Sequence, residues 1–233
     1  MAGTNHKESS KVQEGPAIIL IVPQLGENIG KAVRAMYNFG LTDLRLVAPR
    51  DGWPNEAAVA PAAGADIVLE KARVYETTAE AIADLEYVYA TTARPRDIIK
   101  EVVTPKHCCN LMRGHVNSGK KVGLLFGPEK AGLKNDDIVL STAIVSVPLN
   151  PSFASINLAT AVGLLSYEWF QTGTDIPDSY TPTQDTTPAS AGELQKLFDH
   201  MEDELREAGY FRSQQRRSLM QKNLRNIFTR SEL

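Results

Sequence analysis

Cysteine is scarce in this 233-residue chain, since Cys108 and Cys109 are the only two and they are adjacent. Neighbouring cysteines rarely pair with each other and no CxxC motif is present, so we expect no disulfide framework and a reducing, cytoplasmic location. The four histidines are scattered without ligand spacing, which argues against a structural metal. No apolar run approaches the roughly 18 residues of a membrane span, and the polar N-terminus does not look like a signal peptide.

Charge of either sign shows little excess over the whole chain, because the formal net charge is only −3. This mild acidity indicates nothing about a nucleic-acid partner, for which the local distribution of charge matters more. That distribution is uneven. Residues 193–207 are acidic, whereas residues 212–230 contain no Asp or Glu and carry six basic residues: Arg212, Arg216, Arg217, Lys222, Arg225 and Arg230.

Short apolar runs alternate with amphipathic segments, which is typical of an α/β domain with a mostly parallel sheet and helices on both faces. Glycine and proline bound most of these runs. We predict strands at residues 17–22, 44–47, 87–91, 122–126 and 144–147, with short β-like pieces at 67–69 and 74–75. We predict helices at residues 29–39, 56–60, 78–85, 104–118, 135–140 and 155–170.

The composition predicts four regions of the chain. Residues 1–15 are polar and should be disordered, and residues 16–172 form the α/β domain. Residues 173–191 are rich in Thr, Pro and Asp and are expected to be a linker. Residues 192–233 should form a helical C-terminal extension of two amphipathic helices, the second of them basic.

Four polar segments follow predicted strands, at the edge of the sheet where ligands bind in open parallel folds. They are residues 28–34, 91–94, 127–133 and 150–157. Each segment alone has an ordinary structural explanation. Asn28 could cap a helix that carries Arg34 on its surface, and Ser155 could cap the helix after it. Gly30 could allow something to approach closely, and the glycines of 127–133 do not form a Walker A loop.

Taken in order, three segments resemble the motifs of the SPOUT class of RNA ribose 2′-O-methyltransferases, in the TrmH/SpoU branch. They read NIGKAVRAMYNFG at 28–40, LLFGPEKAGL at 124–133 and VPLNPSFASINLATAV at 147–162. The form LNPSFASIN, the segment TTARPR and the tail QKNLRNIFTR are most similar to TrmJ-like members. The resemblance covers residues 17–171. It implies a SPOUT methyltransferase domain at 16–172 with a C-terminal trefoil knot, and a homodimer with the active site at its interface.

The resemblance also implies a cofactor, S-adenosylmethionine, and the residues that hold it. Backbone groups would satisfy the polar atoms of adenine and ribose, while aliphatic side chains cover the adenine faces. The residues assigned to this pocket by motif are Thr91, Thr92, Ala93, Gly127, Glu129, Gly132, Val147, Ala154, Ser155 and Ile156.

The catalytic residues implied by the resemblance are Arg34 and Asn28, with Ser155 and Asn157 as candidates for holding the hydroxyl. A guanidinium group keeps its proton far above neutral pH, so we expect Arg34 to clamp a phosphate and orient the substrate rather than act as a base. We also assign RNA binding to Arg34 and to the tail residues Arg212, Arg216, Arg217, Lys222 and Arg225, although most charge runs are only solvated helix faces.

The function implied is methylation of a tRNA ribose 2′-OH, at the pyrimidine that opens the anticodon loop, position 32. An rRNA 2′-O-methyltransferase of the same family is one alternative. A non-catalytic RNA-binding protein with this fold is another, which the intact Asn28, Arg34, Glu129, Ser155 and Asn157 disfavour. A Rossmann-type methyltransferase would carry GxGxxG after its first strand, where this chain reads PQLGENIG.

Overall fold

The computed structural model describes residues 14–92, 98–175, 177, 179, 189–211 and 214–229, with the backbone alone at 214–216. The chain divides into two compact units, Met1–Ile176 and Pro177–Leu233. Within the described residues, no helix is both long and apolar enough to cross a membrane.

The first unit is an α/β domain. Its strands are β1 (Ala17–Ile21), β2 (Leu44–Val47), β3 (Arg73–Tyr75), β4 (Tyr87–Thr91), β5 (Val102–Val103), β6 (Val122–Phe126) and β7 (Ala143–Val145). Its helices are α1 (Gly26–Asn38), α2 (Val59–Ala62), α3 (Asp66–Glu70), α4 (Thr78–Ile82), α5 (Pro105–Asn117), α6 (Asn135–Val139) and α7 (Leu158–Gln171), and a 3₁₀ turn (Glu56–Ala58) precedes α2.

The described strands form one sheet in the order β3-β2-β1-β6-β4-β7-β5, and every neighbouring pair is parallel. β1 lies in its middle, with Ile18 opposite Leu44 on one side and Leu124 on the other. Side chains alternate between two cores, since Ile18 packs in one cluster and Ile19 in the other. A mostly parallel sheet with helices on both faces was predicted and is confirmed.

The structure differs from the predicted elements in three places. Residues 67–69 are helical in α3 rather than β-like, because an apolar run this short has no periodicity that separates strand from helix. The short strand β5 was not predicted. Helix α7 begins at Leu158, not at Ser155, because Asn157 provides the cap: its side-chain oxygen accepts from the Ala159 N–H at 2.8 Å.

The second unit is a pair of helices, α8 (Ala191–Glu207) and α9 (Gln214–Thr229). Ser190 and Glu193 form a capping box at the start of α8, in which each accepts from the other's backbone N–H. Phe198 of α8 is buried, and its ring lies 6.2 Å from that of Phe228 in α9. The two helices that were predicted for the C-terminal extension therefore form.

Candidate active site

A cavity of about 350 Å³ lies at the carboxyl ends of the adjacent strands β6, β4 and β7. Three stretches of chain enclose it, one after each strand. The lining residues are Thr91 and Thr92, then Phe126, Gly127, Pro128, Glu129, Lys130 and Gly132, and then Val145, Val147, Leu149, Ala154, Ser155, Ile156, Leu158 and Ala161. The wall is mostly aliphatic with a few polar groups, which is the composition expected of a small-molecule site.

The structure gathers nine of the ten residues assigned to the cofactor around this one cavity. They are Thr91, Thr92, Gly127, Glu129, Gly132, Val147, Ala154, Ser155 and Ile156. The tenth, Ala93, lies outside the described residues. Their common location follows from the fold, because parallel strands that neighbour each other end at the same edge. Seven further lining residues were not assigned, and all of them except Val145 lie within the motif segments 124–133 and 147–162. They are Phe126, Pro128, Lys130, Val145, Leu149, Leu158 and Ala161.

The loop after β6 turns back tightly on itself. A Cβ atom on Gly127 would lie 2.2 Å from the Leu133 nitrogen, so no larger residue fits without moving the backbone. The Gly132 N–H donates to the Pro128 carbonyl at 2.8 Å, and Gly132 has a positive φ of 67° that side chains disfavour. The two glycines thus shape the loop, and Glu129 is presented at its tip.

A chain of hydrogen bonds joins the three motif segments. Asn157 donates from Nδ2 to Asn28 Oδ1 at 3.0 Å, and Asn28 donates from Nδ2 to Glu129 Oε1 at 2.9 Å. The other carboxylate oxygen of Glu129 accepts from the Gln24 N–H at 2.9 Å. At the far end, Asn157 Oδ1 accepts from the Ala159 N–H. A carboxylate only accepts and a backbone N–H only donates, so both ends force the orientation of the two amides.

This arrangement corrects the prediction that Asn28 caps α1. The helix begins at Gly26, Leu25 occupies the cap position, and Asn28 lies inside the first turn, only 5% exposed. Its amide is used by Glu129 and Asn157, and it does not line the cavity. The Asn28 side chain therefore links the loop after β6 to the segment that precedes α7.

Gly30 is needed for helix packing. A Cβ atom there would lie 2.1 Å from the Ala58 carbonyl oxygen, in the turn that packs against α1. The expectation that Gly30 lets something approach closely is thus met by the protein's own backbone. The Asn-x-Gly spacing of the first motif places a polar anchor and a packing contact on the same turn of α1.

Arg34 lies farther along α1 and is exposed. It does not line the cavity, and among the described residues it has no ion pair or hydrogen bond. A second cation near this edge, Arg50, follows β2 and was not predicted. Its hydrogen bonds with Asp51 raise the pKa of Arg50, and attraction by the Glu129 carboxylate adds to the shift. The described residues contain no group of His, Cys, Asp or Glu arranged to hold a metal ion.

The tail residues assigned to RNA have different surroundings in the second unit. Lys222 is exposed and has no described hydrogen bond or ion pair, whereas Arg225 donates to Glu202 at 2.7 Å. The Arg217 guanidinium lies 5.7 Å from the Phe211 ring centre. Arg212 and the Arg216 side chain lie outside the described part of the chain. Glu202 thus neutralises part of the charge that the sequence predicts for RNA.

Comparison with known proteins identifies the family. Residues 16–167 match the SpoU rRNA Methylase family. The chain belongs to this family. The tRNA (cytidine/uridine/adenosine-2′-O-)-methyltransferase TrmJ of Pseudomonas aeruginosa is 35% identical over 224 residues, which cover 93% of this chain and 86% of that protein. The resemblance to the TrmH/SpoU branch and to TrmJ-like proteins is therefore confirmed.

Solved structures of methyltransferase relatives have a similar fold. TrmJ from Z. mobilis ZM4 superposes with a TM-score of 0.79 at 48% identity, covering 94% of this chain and 92% of that one. A probable methylase family protein from Haemophilus influenzae superposes with a TM-score of 0.63 at 31% identity, covering 94% and 89%. The match to the first extends over most of both chains.

Proposed function

We propose that the protein transfers a methyl group from S-adenosylmethionine to the ribose 2′-OH of tRNA, at the pyrimidine in position 32. The observation that carries this proposal is the cavity at the carboxyl edge, where three motif segments meet and the Asn157–Asn28–Glu129 hydrogen bonds join them. The relative from P. aeruginosa supports it, because its name states tRNA and 2′-O-methylation.

The residues of the cavity suit the proposed cofactor. Val145, Val147, Leu149 and Ile156 form an aliphatic wall for an adenine ring, and Thr91, Thr92 and Ser155 supply polar groups beside it. The Glu129 carboxylate provides a negative charge beside the cavity, which suits a molecule with an ammonium group and a sulfonium group. S-adenosylmethionine supplies an activated methyl group when it is bound.

Side chains of the protein would hold the substrate in place and contribute charge near the reacting ribose. A ribose 2′-OH is a weak nucleophile while it keeps its proton, so the chain would contribute by holding the hydroxyl in line with the methyl group. We assign Arg34 to clamping a phosphate next to the reacting ribose, and Ser155 to contacting the substrate in the cavity. Asn28 and Asn157 act as positioning residues, since their amides fix the loop that carries Glu129.

We propose a homodimer as the active form. Leu164 and Tyr167 of α7 are 38% and 46% exposed, and Leu25 before α1 is 46% exposed. Arg34 lies exposed on α1 outside the cavity lining. A second copy packed on these residues would cover the apolar groups and could bring Arg34 to a cavity. The trefoil knot expected for the family, and a cytoplasmic location shared with the tRNA substrate, are parts of the same proposal.

The basic tail would supply RNA affinity. A folded RNA is bound largely through its backbone and shape, so cations outside the cavity can strengthen binding without reading sequence. Lys222 and Arg217 are the tail cations best placed for this role among those described, because Arg225 is paired with Glu202.

Methylation of defined RNAs by the purified protein tests the proposal. With labelled S-adenosylmethionine, we expect transfer to tRNA transcripts with C or U at position 32, and mapping should place the methyl group on that ribose. A transcript with a 2′-deoxy nucleotide at position 32 is the control and should accept nothing. The family's description names rRNA, so transfer to rRNA fragments but not to tRNA would favour the second candidate, an rRNA 2′-O-methyltransferase.

A further inference from the structure

Phe153 differs from every other phenylalanine in the chain. It is 76% exposed, whereas the remaining six are buried or half-buried. Removing such a side chain from water would contribute roughly 1.5–3 kcal/mol, and Phe153 forgoes most of this stabilisation in the isolated chain. A large aromatic ring left in water on a folded surface is typical of a binding site rather than of a packing residue.

The turn that carries Phe153 is well defined. The Phe153 N–H donates to the Asn150 carbonyl at 2.9 Å. Asn150 Oδ1 accepts from the Ser152 N–H at 3.1 Å and from the Ser152 hydroxyl at 2.8 Å. Pro151 restricts the backbone between them. The ring is therefore presented by a turn with its own hydrogen bonds, which reduces the entropy lost when a ligand binds.

The position of this turn relates Phe153 to the proposed reaction. The next three residues, Ala154, Ser155 and Ile156, all line the cavity. On another loop of the same cavity, Lys130 is exposed and has no described ion pair. An aromatic ring and an unpaired cation thus lie on two of the segments that form one cavity, where an incoming nucleotide would need partners for its base and its phosphate.

The neighbours of Phe153 favour RNA over a protein as its partner. Of the residues near it in sequence, Asn150, Pro151, Ser152 and Ser155 are exposed and mostly polar, whereas the apolar Leu149, Ala154 and Ile156 are half-buried at the cavity. The buried core of a protein interface instead combines several large apolar side chains. A single ring flanked by hydrogen-bonding groups suits an unstacked base, which presents a flat face and polar edges.

We propose that Phe153 is the platform on which a base of the RNA substrate stacks beside the cavity, with Lys130 contacting a phosphate of the same strand. This inference rests on the proposed function and concerns how the same site selects a nucleotide in a single-stranded loop. Stacking tolerates any base because each has a π face, so Phe153 would contribute affinity and position rather than discrimination between cytidine and uridine.

The first test measures binding of an anticodon stem-loop RNA to the full-length protein. We expect Phe153→Ala to weaken RNA binding about tenfold, and Phe153→Tyr to remain within about twofold of the wild type because it keeps the ring. Affinity for S-adenosylmethionine should not change in either variant. Val139→Ala is the matched control, since Val139 is 59% exposed and does not line the cavity. Equal RNA affinity for Phe153→Ala and wild type would overturn the proposal.

A second test identifies the base. We would place a single abasic nucleotide at position 32 or next to it and measure the affinity of each stem-loop. One of these stem-loops should bind the wild type as weakly as the intact stem-loop binds Phe153→Ala. That abasic stem-loop should bind the wild type and Phe153→Ala with equal affinity. In Phe153→Trp, tryptophan fluorescence should be quenched by the intact stem-loop but not by that abasic one. No coupling between any abasic position and Phe153 would contradict stacking.

Sedimentation of Phe153→Ala separates this proposal from a role in assembly. We expect its oligomeric state to equal that of the wild type, and dissociation would make Phe153 a contact between subunits instead. For the cation, Lys130→Gln should weaken RNA binding and lower its salt dependence by roughly 0.7–0.9 in log–log slope, whereas Lys71→Gln should do neither. If the wild type methylates tRNA but these variants behave as it does, the proposed function stands and this inference fails.

Discussion

The two edges of the sheet differ in how their charged side chains are paired. At the amino edge, Arg45 of β2 is 2% exposed and its guanidinium contacts Asp43, Asp84 and the Ala81 carbonyl. Asp43 also accepts from Arg73 at 2.6 Å. A cavity of about 510 Å³ lies here, larger than the one at the carboxyl edge. Its main charged groups are already paired with one another.

At the carboxyl edge, two neutral amides hold the carboxylate, since Asn157 donates to Asn28 and Asn28 donates to Glu129. Arg50 is paired with Asp51 there, but Arg34 and Lys130 have no described ion pair. The larger cavity thus lies at the edge whose main charged groups are paired with one another. Polar groups that satisfy one another stabilise the fold, whereas polar groups at a cavity that lack a protein partner can bind a ligand.

The largest effect should come from Arg34→Ala. If the unpaired cation at the carboxyl edge acts on the RNA, kcat/KM for tRNA should fall about 100- to 1,000-fold, as it does when a charged group acting at the transition state is removed. Affinity for S-adenosylmethionine, measured by calorimetry, should not change. Lys31→Ala on the same helix is the control. Loss of cofactor binding in a folded Arg34→Ala protein would contradict the assigned role.

Arg45→Met should lower the stability of the fold and leave methyl transfer unchanged. Removing the buried guanidinium leaves Arg73 as the remaining partner of Asp43 and Lys121 as that of Asp84. Because the side chains of Asp43 and Asp84 are also 34% and 42% exposed, we expect a destabilisation of about 2–3 kcal/mol, less than for a fully buried pair. Methyl transfer per folded molecule should stay the same. Lys120→Met breaks an exposed pair with Glu86 and should leave stability almost unchanged, because water screens such a pair. Urea unfolding measures both variants.

Asn28→Asp reverses one link of the amide chain. It removes the donor to Glu129 and places two carboxylates side by side, so we expect a destabilisation of about 1–2 kcal/mol and roughly thirtyfold slower methyl transfer. In the double variant Asn28→Asp, Glu129→Gln, the new amide can donate to the introduced carboxylate and still accept from the Gln24 N–H. Its stability should return toward that of the wild type. Additive effects of the two substitutions would show that the hydrogen bonds do not couple these residues.

Reversing charge on the tail should have a moderate effect. We expect Arg217→Glu with Lys222→Glu to weaken tRNA binding about tenfold and to lower the log–log salt slope by roughly 0.7–0.9 for each phosphate that is no longer neutralised. Binding of S-adenosylmethionine should be unaffected. Lys196→Glu on α8 is the control. An unchanged salt slope, with the oligomeric state intact, would assign the tail to structure alone.

The smallest expected effect is the dependence of fold stability on pH. Hydrogen bonding to Arg45 lowers the pKa of Asp84; burial raises that of Asp43, but its hydrogen bonds with Arg45 and Arg73 outweigh burial and lower it. Carboxyl groups with depressed pKa values stabilise the fold above their unfolded pKa, about 4, and this stability is lost as pH falls further. Urea midpoints should therefore drop on acidification below about pH 5, and the drop should be shallower in Arg45→Met.

The sequence predicted the central sheet well and the contacts of the site poorly, for physical reasons. β1 and β6 were recognisable because each is a short, fully buried apolar run that Pro or Gly terminates. The residues that follow β4, β6 and β7 could be grouped because parallel strands share an edge. The partners of Asn28 could not be found, since hydrogen bonds to Glu129 and Asn157 depend on packing between distant segments. Gly30 was recognised as special, but its contact with Ala58 was not.

The Asn157–Asn28–Glu129 chain also has a consequence for biosynthesis. Its two hydrogen bonds join residues 101 and 129 positions apart. Long-range contacts form late because the intervening chain must first be ordered. During translation, Asn28 and α1 are synthesised early. The Asn28 side chain can form both of its hydrogen bonds only after Asn157 has been synthesised. A nascent or truncated polypeptide that ends before residue 157 can build β1 and α1 but cannot assemble the site, so no partial translation product should compete for tRNA at the cavity.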